Sequence, residues 1–517
     1  MPQLGETEVR LQGVDCTRVL VIGLDGANID LIRQWSQEGK LPAFRKLLDG
    51  GCHGPLESVI PTITIPAWNC MTSGKNSGKT GVFSFIQKAY GTYDFRVYQM
   101  LNRKEESVWD ILSDAGKEVF VFNAPNVLYA YPINGWLVSG VICLSDDKLT
   151  WPPDLRKELE GLGYKRDIGD IQTLWSMNDA ELQAIHRGIT DSQCQVLLHF
   201  LEKKWDFGFF VLTELDRIQH AFWNQKDVLL ASYQNIDRNL GLVLDKIGDD
   251  TTVFMFSDHG FGPNERTFLV NEWLANRGLL KTRQILTVKA AKTLLRIQKW
   301  PAVVSVLRTL WRQFSFMRPL YLKLARDTSR TPIQWDQTKA YSYATFGTIY
   351  LNVAGREPLG IVKPEDYERV RTEIIEGLKE VPAKAYRCEE LYHGDFMASA
   401  PDIVVEIDDY VHSVSGVVGY GKIFRERFGG HHDRHNGTFI AWGPGIRKGA
   451  TVQAKMFDVV PTLLHFFDLP LGRDLDGRVL REIFDGNVAA RETRFRESAE
   501  SERVRKRVRE LKARGII

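Results

Sequence analysis

Three apolar runs in this 517-residue chain end on carboxylates, and two of those ends carry histidine at metal-ligand spacing. Val19-Leu20-Val21-Ile22-Gly23-Leu24 ends at Asp25. Phe209-Phe210-Val211-Leu212 leads into Glu214, then Asp216 and His220. Val253-Phe254-Met255-Phe256 ends at Ser257-Asp258-His259-Gly260. A fourth cluster, His431-His432-Asp433-Arg434-His435, precedes the run Phe439-Ile440-Ala441-Trp442. Ligands of an open α/β sheet collect outside the carboxyl ends of its strands, so donors placed there converge. Asp216 and His220 are four residues apart and share one helix face. The set holds enough Asp and His for two divalent metals, the arrangement that clamps attacking and leaving oxygens in phosphoryl displacement. Taken singly, Asp25 reads as a helix cap and His259 as a core histidine. Their joint order at strand ends points to a hydrolase.

A nucleophile is offered by Pro61-Thr62-Ile63-Thr64-Ile65-Pro66-Ala67-Trp68-Asn69. Proline favours a helix's first turn, so Pro66 predicts a helix starting just after Thr64 or Ile65. The Thr64 hydroxyl then lies at a helix N-terminus, where free N–H groups and the dipole favour a phosphate. A metal on the same oxygen would make its alkoxide accessible near neutral pH. On local sequence alone, an N-cap threonine is the simpler reading. The nearby Ser73-Gly74-Lys75-Asn76-Ser77-Gly78-Lys79-Thr80 imitates a phosphate-binding loop, but serine stands where that motif needs glycine. Trp68 to Thr72 reads as helix rather than as a strand entering the loop, so a glycine-rich helix end is the preferred assignment.

The elements that position these residues follow from alternation. From about 17 to 145, strand and helix patterns alternate: Val19–Leu24, an amphipathic segment from Ile29 to Leu48, a turn at Gly50-Gly51, then strands at Val119–Phe122 and Trp136–Val138. This predicts an α/β fold with a parallel sheet covered by helices. Residues from about 146 to 195 are more polar and predicted helical, with helices over Asp179–Ile189 and Asp191–Lys204. The sheet pattern resumes at Phe207 and runs to about Leu280. From Lys281 to Arg326 there is no Asp or Glu, while Lys and Arg recur among Trp300, Trp311, Phe314, Phe316 and Tyr321. A basic amphipathic helical pair fits this segment. A lid over the site is the preferred role, ahead of an anionic membrane surface or an oligomer contact. The sheet pattern returns near Ala340, with Tyr350–Val353 and Asp402–Val405, and ends around Leu480. Arg491 to Arg514 reads as an exposed charged helix.

Bulk composition narrows the class. The chain is 44% hydrophobic and 26% charged with formal net charge +2, ordinary for a soluble globular protein, and no specific nucleic-acid binding is expected. Met1–Thr17 has no apolar core of a secretory signal, and no run is long enough to span a bilayer. Six scattered cysteines (16, 52, 70, 143, 194, 388) without C-x-x-C read as reduced, mostly buried thiols. A cytoplasmic protein is the expectation.

With these residues laid out, the chain resembles the alkaline phosphatase superfamily. Its branch is that of the type I phosphodiesterase/nucleotide pyrophosphatases and a related phosphohydrolase/phosphomutase group. The resemblance rests on Val21-Ile22-Gly23-Leu24-Asp25-Gly26, Pro61 to Trp68 leading into Met71–Asn76, Glu214 to His220, Ser257 to Gly262, Gly443-Pro444-Gly445-Ile446 and Asp458 to Leu464, in family order over about 17–482. It implies an alkaline-phosphatase-like core over 17–280 and 340–482, a basic helical cap over 281–339 and a charged tail over 483–517. It further implies two divalent metals, zinc first and manganese second. One would be held by Asp216, His220 and His432, the other by Asp25, Asp258 and His259 with Thr64 beside it. Gly-x-His fits His431 as well as His432, and His435 also stays open. The implied course is attack by Thr64, a phosphothreonine intermediate, then hydrolysis by water. Nucleotide pyrophosphatases carry an asparagine downstream of the nucleophile, whose amide stabilises developing phosphate charge. Here that stretch reads Gly81-Val82-Phe83-Ser84-Phe85.

The leading expectation is a two-metal phosphodiesterase- or pyrophosphatase-type hydrolase acting on a small anionic phosphoester. Phosphomutase-type phosphoryl transfer is the second reading, weakened because such mutases use serine where Thr64 stands. A sulfatase lacks its Cys-x-Pro-x-Arg precursor sequence. A non-catalytic, metal-stabilised interaction protein is the reading outside enzymology.

Overall fold

The computed structural model describes residues 18–89, 91–97, 105–140, 143, 146–167, 177–283, 333–343, 346–407, 412–427 and 429–497. Eleven strands matter for the site. They are β1 (Arg18–Leu24), β2 (Cys52–Glu57), β3 (Val119–Ala124), β4 (Gly135–Ser139), β5 (Thr150–Trp151), β6 (Phe207–Leu212), β7 (Thr251–Phe256), β8 (Gly260–Pro263), β9 (Gly430–Asp433), β10 (Gly437–Trp442) and β11 (Ala454–Lys455). Nine of them form one sheet in the order β11-β2-β10-β7-β1-β6-β3-β4-β5. The central run β7-β1-β6-β3-β4 is parallel, and β10 joins it antiparallel through β7. Covering both faces of such a sheet requires near-continuous apolar strands, which is why β3, β6 and β7 are buried along their whole length.

Helices α1 (Ile29–Gln37), α2 (Pro42–Gly50), α3 (Thr64–Ser73), α4 (Asp179–Phe200), α5 (Glu214–Phe222), α6 (Lys226–Lys246) and α7 (Val459–Phe466) cover the sheet. Alternation along β1 divides them. Leu20, Ile22 and Leu24 pack with side chains of α1, α2, α4, α5 and α6, while Val19 and Val21 pack with α3 and α7. Gly23 lies on the α3 side, where an added Cβ would come within 2.5 Å of the Trp68 ring. Glycine there lets α3, and Thr64 at its first turn, sit close on the sheet.

Two predicted helical segments come out differently. The single segment Ile29–Leu48 is split into α1 and α2 by a left-handed Gly39 and by Pro42, which starts α2. The pair Asp179–Ile189 and Asp191–Lys204 is one continuous helix, opened by an Asn178/Glu181 capping box.

A correction concerns the return of the sheet near Ala340. Ala340–Ser342, Thr348–Leu351, Ile403–Ile407 and Ala383–Arg387 form a separate four-stranded sheet with its own apolar core. Arg266–Leu269 pairs with His412–Ser415 and Phe424–Glu426 in a three-stranded sheet. These strands are as apolar as the central ones, so periodicity alone does not tell which sheet they join. At the C-terminal end, Phe495–Arg496 is a short strand on Leu471–Gly472 rather than helix, and the tail beyond 497 lies outside the described residues. So do Met1–Thr17 and most of Lys281–Arg326. No helix among the described residues is long and apolar enough to cross a membrane. Cys52, Cys70, Cys194 and Cys388 are free thiols.

Candidate active site

Three parallel strands end side by side. Leu24 of β1 lies opposite Leu212 of β6, and Gly23 opposite Phe256 of β7. Asp25, the turn into α5, and Ser257-Asp258-His259 therefore leave the sheet at one edge, as the strand-end rule predicts. Strand β8 follows His259 directly and pairs antiparallel with β9, placing His432 opposite Phe261. A residue 173 positions further along the chain is thus brought beside Asp258 and His259.

Six of the seven predicted site residues form two triads. Asp216, His220 and His432 make one, and Asp25, Asp258 and His259 the other, with donor atoms within 4.8 Å of one another in each. In the first, Asp216 Oδ1 lies 3.5 Å from His220 Nε2 and 3.2 Å from His432 Nε2, and the two Nε2 atoms are 3.0 Å apart. Ligands about 2.0–2.1 Å from a tetrahedral ion would stand about 3.3 Å apart. In the second, His259 Nε2 is 3.2 Å from Asp258 Oδ2 and 3.7 Å from Asp25 Oδ1. The triads adjoin where the His259 and His432 rings stack at 3.6 Å between centroids. Of the histidines left open by sequence, His432 enters a triad. The His431 ring runs parallel to it at 5.5 Å outside the triad, and His435 is exposed.

The hydrogen bonds behind the triads settle which ring nitrogens face inward. His220 Nδ1 donates to Gly430 O, His432 Nδ1 to Thr62 O and His259 Nδ1 to Gly260 O, each at 3.0 Å. Carbonyls only accept, so each Nδ1 carries a proton, and in the neutral imidazole it is Nε2 that presents a lone pair to the site. Asp25 Oδ1, Asp216 Oδ1 and Asp258 Oδ2 are buried and receive no hydrogen bond of acceptable geometry. An enclosed set of lone pairs and carboxylate oxygens is unfavourable without a cation among them. This donor set fits divalent metals.

Electrostatics agree. Burial, reinforced by Asp258 and Asp216, pushes the Asp25 carboxyl well above its usual range. Burial pushes Asp258 up to about 7. Burial also opposes ionisation of Asp216, but the imidazoles of His220 and His432 outweigh it and hold this carboxyl below its usual range. His259 is pushed well down by burial and by His432. Without a cation, then, Asp25 and Asp258 resist carrying charge together.

Thr64 is the first residue of α3, and Ile63 occupies the cap position with no side-chain cap bond. The Thr64 hydroxyl is therefore not an N-cap. It is buried, and its Oγ1 lies 3.5 Å from His259 Nε2. Downstream, Val82 packs on Ile65 and Leu128, and Ser84 is buried.

Several supporting residues had no distinct signal in the sequence. Gly26 N donates to Asp258 Oδ1 at 3.2 Å, Gln219 Nε2 holds Gly26 O at 2.7 Å, and Tyr233 OH holds Gln219 Oε1 at 3.1 Å. Ser58 Oγ donates to Asp258 O at 2.5 Å. Phe346, just before the Thr348–Leu351 strand of the second sheet, brings its ring to 6.2 Å from that of His432. Each is an ordinary polar or aromatic residue until tertiary contacts place it.

The loop-like Ser73–Thr80 is a glycine-rich helix end, as preferred from sequence: α3 stops at left-handed Gly74. Its lysines are structural. Lys75 pairs with Glu105 and Asp474, and Lys79 pairs with Asp476 while donating to Asp474 O at 2.7 Å. Lys79→Ala is expected to lower the melting temperature and leave KM for phosphoester substrates within about twofold, since it removes a partly buried pair worth about 1–3 kcal/mol. Thermal melts and steady-state kinetics of the one variant check both halves.

By its family the chain is a phosphoric ester hydrolase of the alkaline phosphatase superfamily. The sequence profile of the type I phosphodiesterase / nucleotide pyrophosphatase family matches residues 19–417, and the chain belongs to that family. Metal dependence is a property of the family. Comparison with curated protein sequences gives no match. Among solved structures, murine ectonucleotide pyrophosphatase / phosphodiesterase 5 is similar at 13% identity and TM-score 0.51, over 87% of this chain and 95% of that one. An inactive variant of the murine protein in complex with AMP gives 13% identity and 0.52, over 88% and 95%. The human counterpart gives 13% and 0.51, over 87% and 95%. These likenesses show a shared fold.

Proposed function

We propose that this phosphodiesterase-type hydrolase works with two divalent metals, zinc ahead of manganese, and with Thr64 as nucleophile. The observation that carries the reading is a buried threonine hydroxyl, free of capping duty, beside two triads of inward-facing acceptors. Asp216, His220 and His432 would hold one ion, and Asp25, Asp258 and His259 the other. When bound, the ions supply Lewis-acid stabilisation of phosphate charge and lower the pKa of the Thr64 hydroxyl.

The remaining work falls to the chain. Thr64 Oγ1 forms the new bond to phosphorus and gives its proton, by way of solvent, to the leaving alkoxide or phosphate oxygen, which departs with the electron pair of the broken bond. Water then cleaves the phosphothreonine ester and regenerates Thr64. The Nδ1–H bonds to Gly430, Thr62 and Gly260 hold each imidazole in one tautomer and orientation throughout. The N-terminal position of Thr64 on α3 adds a favourable dipole for phosphate. The AMP complex of the murine relative supports a nucleotide-type phosphoester as substrate class. A cytoplasmic location and a basic cap over Lys281–Arg326, serving as lid or anionic-surface contact, belong to this proposal on sequence grounds.

Hydrolysis of bis-p-nitrophenyl phosphate and p-nitrophenyl phosphate separates the readings. The expected result is diester cleavage at least about tenfold above monoester cleavage, abolished by chelation and restored by zinc or manganese. Turnover that survives complete metal removal overturns the reading.

A further inference from the structure

Behind the helix that carries Asp216 and His220 lies a group of charged side chains belonging to neither triad. Glu214, the first residue of α5, is 3% exposed. Its Oε2 accepts from Nδ1 of His186 on α4, itself 4% exposed. Its Oε1 accepts from Arg217 Nη1 at 3.1 Å, and the same Nη1 is paired with Asp167. Asp167 and His186 come from the polar insertion of residues 146–195. A carboxylate buried this deeply is tolerated only when paired on its open oxygens, and both Glu214 oxygens are paired.

The geometry of α5 gives these contacts a consequence. Glu214 and Arg217, three apart, share the face turned to α4, while Asp216 and His220, four apart, share the face turned to His432. Rotation about the helix axis is what would uncouple Asp216 and His220 from His432, which stands on β9. A carboxylate oxygen about 6 Å from the axis moves about 1 Å for a 10° rotation. Metal ligands tolerate about 0.2 Å. Apolar packing of Leu215 and Ile218 resists separation of α5 from the core, whereas the directional hydrogen bonds of Glu214 to His186 and of Arg217 to Asp167 resist its rotation. The other triad's ligands follow β1 and β7, and α5 supports it only at one remove, through Gln219 holding the Gly26 peptide that donates to Asp258.

We propose that Asp167, Arg217, Glu214 and His186 form a lock through which the 146–195 insertion positions the Asp216/His220/His432 centre, two of whose ligands α5 carries, far more than its neighbour. These are positioning residues. The inference rests on the metal-binding reading above, and it makes the two centres unequally adjustable: the insertion sets the affinity of one ion directly, while the ligands of the other leave strand ends.

The test is zinc titration of the metal-free full chain against a chromophoric chelator, with cobalt(II) absorption spectra to tell the two centres apart. His432→Ala marks which ion belongs to the first triad. Wild type is expected to bind two ions. Glu214→Gln and the milder Asp167→Asn, whose side chain is 28% exposed, are expected to lose about 10–100-fold in affinity at the His432-marked centre and much less at the other. Asp167→Glu is expected to recover most of that loss. Equal weakening of both centres, or a lower melting temperature with both affinities unchanged, would show the lock to be only a structural anchor and overturn the proposal. A wild type that binds no zinc overturns the metal reading itself, a result distinct from two bound ions that the variants fail to separate.

Discussion

Thr64→Ala is expected to lower kcat for diester cleavage by about 10⁴-fold or more while both metals stay bound and the fold stays intact. The size follows from removing the proposed nucleophile, whose Oγ1 lies 3.5 Å from His259 Nε2. Replacement of the oxygen leaves binding and charge stabilisation in place, so a residual rate from a water in its stead is expected, not zero. The fold survives because the hydroxyl caps nothing: Ile63 is the cap residue and the side chain makes no cap bond. The expected stability loss is about 1 kcal/mol, the ordinary size for one substitution. Thr64→Ser restores a hydroxyl and is expected to recover most of the rate. Single-turnover kinetics with quenching should trap a phosphorylated wild-type chain, with the label on Thr64. A Thr64→Ala variant within tenfold of wild-type kcat would sink the assignment.

The second large effect is loss of one ion at a time. Asp258→Asn and His432→Ala each remove a ligand from a different triad, and each is expected to weaken its own ion by more than the roughly 100-fold that outer-shell changes reach. Both are expected to lower kcat by at least about 10³-fold, because the two centres act on one displacement. The double variant is expected to be little worse than the poorer single one, since groups acting as a unit are non-additive. The stacked His259 and His432 rings, 3.6 Å apart, give this coupling a physical route. Metal analysis with steady-state kinetics checks it, and additive losses would argue for two independent sites. Asp258→Asn carries a second consequence. It removes one of two buried carboxylates that resist joint ionisation, so the metal-free variant is expected to be at least as stable as metal-free wild type near pH 7.5.

Much of this was legible in the residues. Strands buried on both faces must be apolar throughout, so β1, β6 and β7 announce themselves, and their carboxyl ends say where ligands collect. The i, i+4 spacing of Asp216 and His220 needs only a helix to bring them together. Pro66 places the start of α3 to within a residue of Thr64. Less was legible where identical patterns have different partners. Tyr350 to Val353 and Asp402 to Val405 read as core strands, yet they pair in a second sheet, because apolar alternation carries no information about which strand lies alongside.

The histidine cluster shows the same division. His431, His432 and His435 differ in sequence only by position. What selects His432 is the β8–β9 register, which sets it opposite Phe261 and lets Thr62 O fix its Nδ1. The Thr64 hydroxyl was ambiguous for a like reason, since only the fold shows that Ile63 occupies the cap position and that Thr64 does not cap α3. The lysines of Ser73–Thr80 become ion-pair partners only when Asp474 and Asp476, some 400 residues on, fold against them.

By itself, then, the sequence determined the α/β class, the strand-end placement of the acids and imidazoles, and the hydrolase chemistry they imply, because these follow from periodicity and spacing within single elements. Only the tertiary structure decided which histidine completes the triad, which hydroxyl is free and which charges lock α5. Those depend on register and on contacts between residues far apart in the chain, where local spacing is silent.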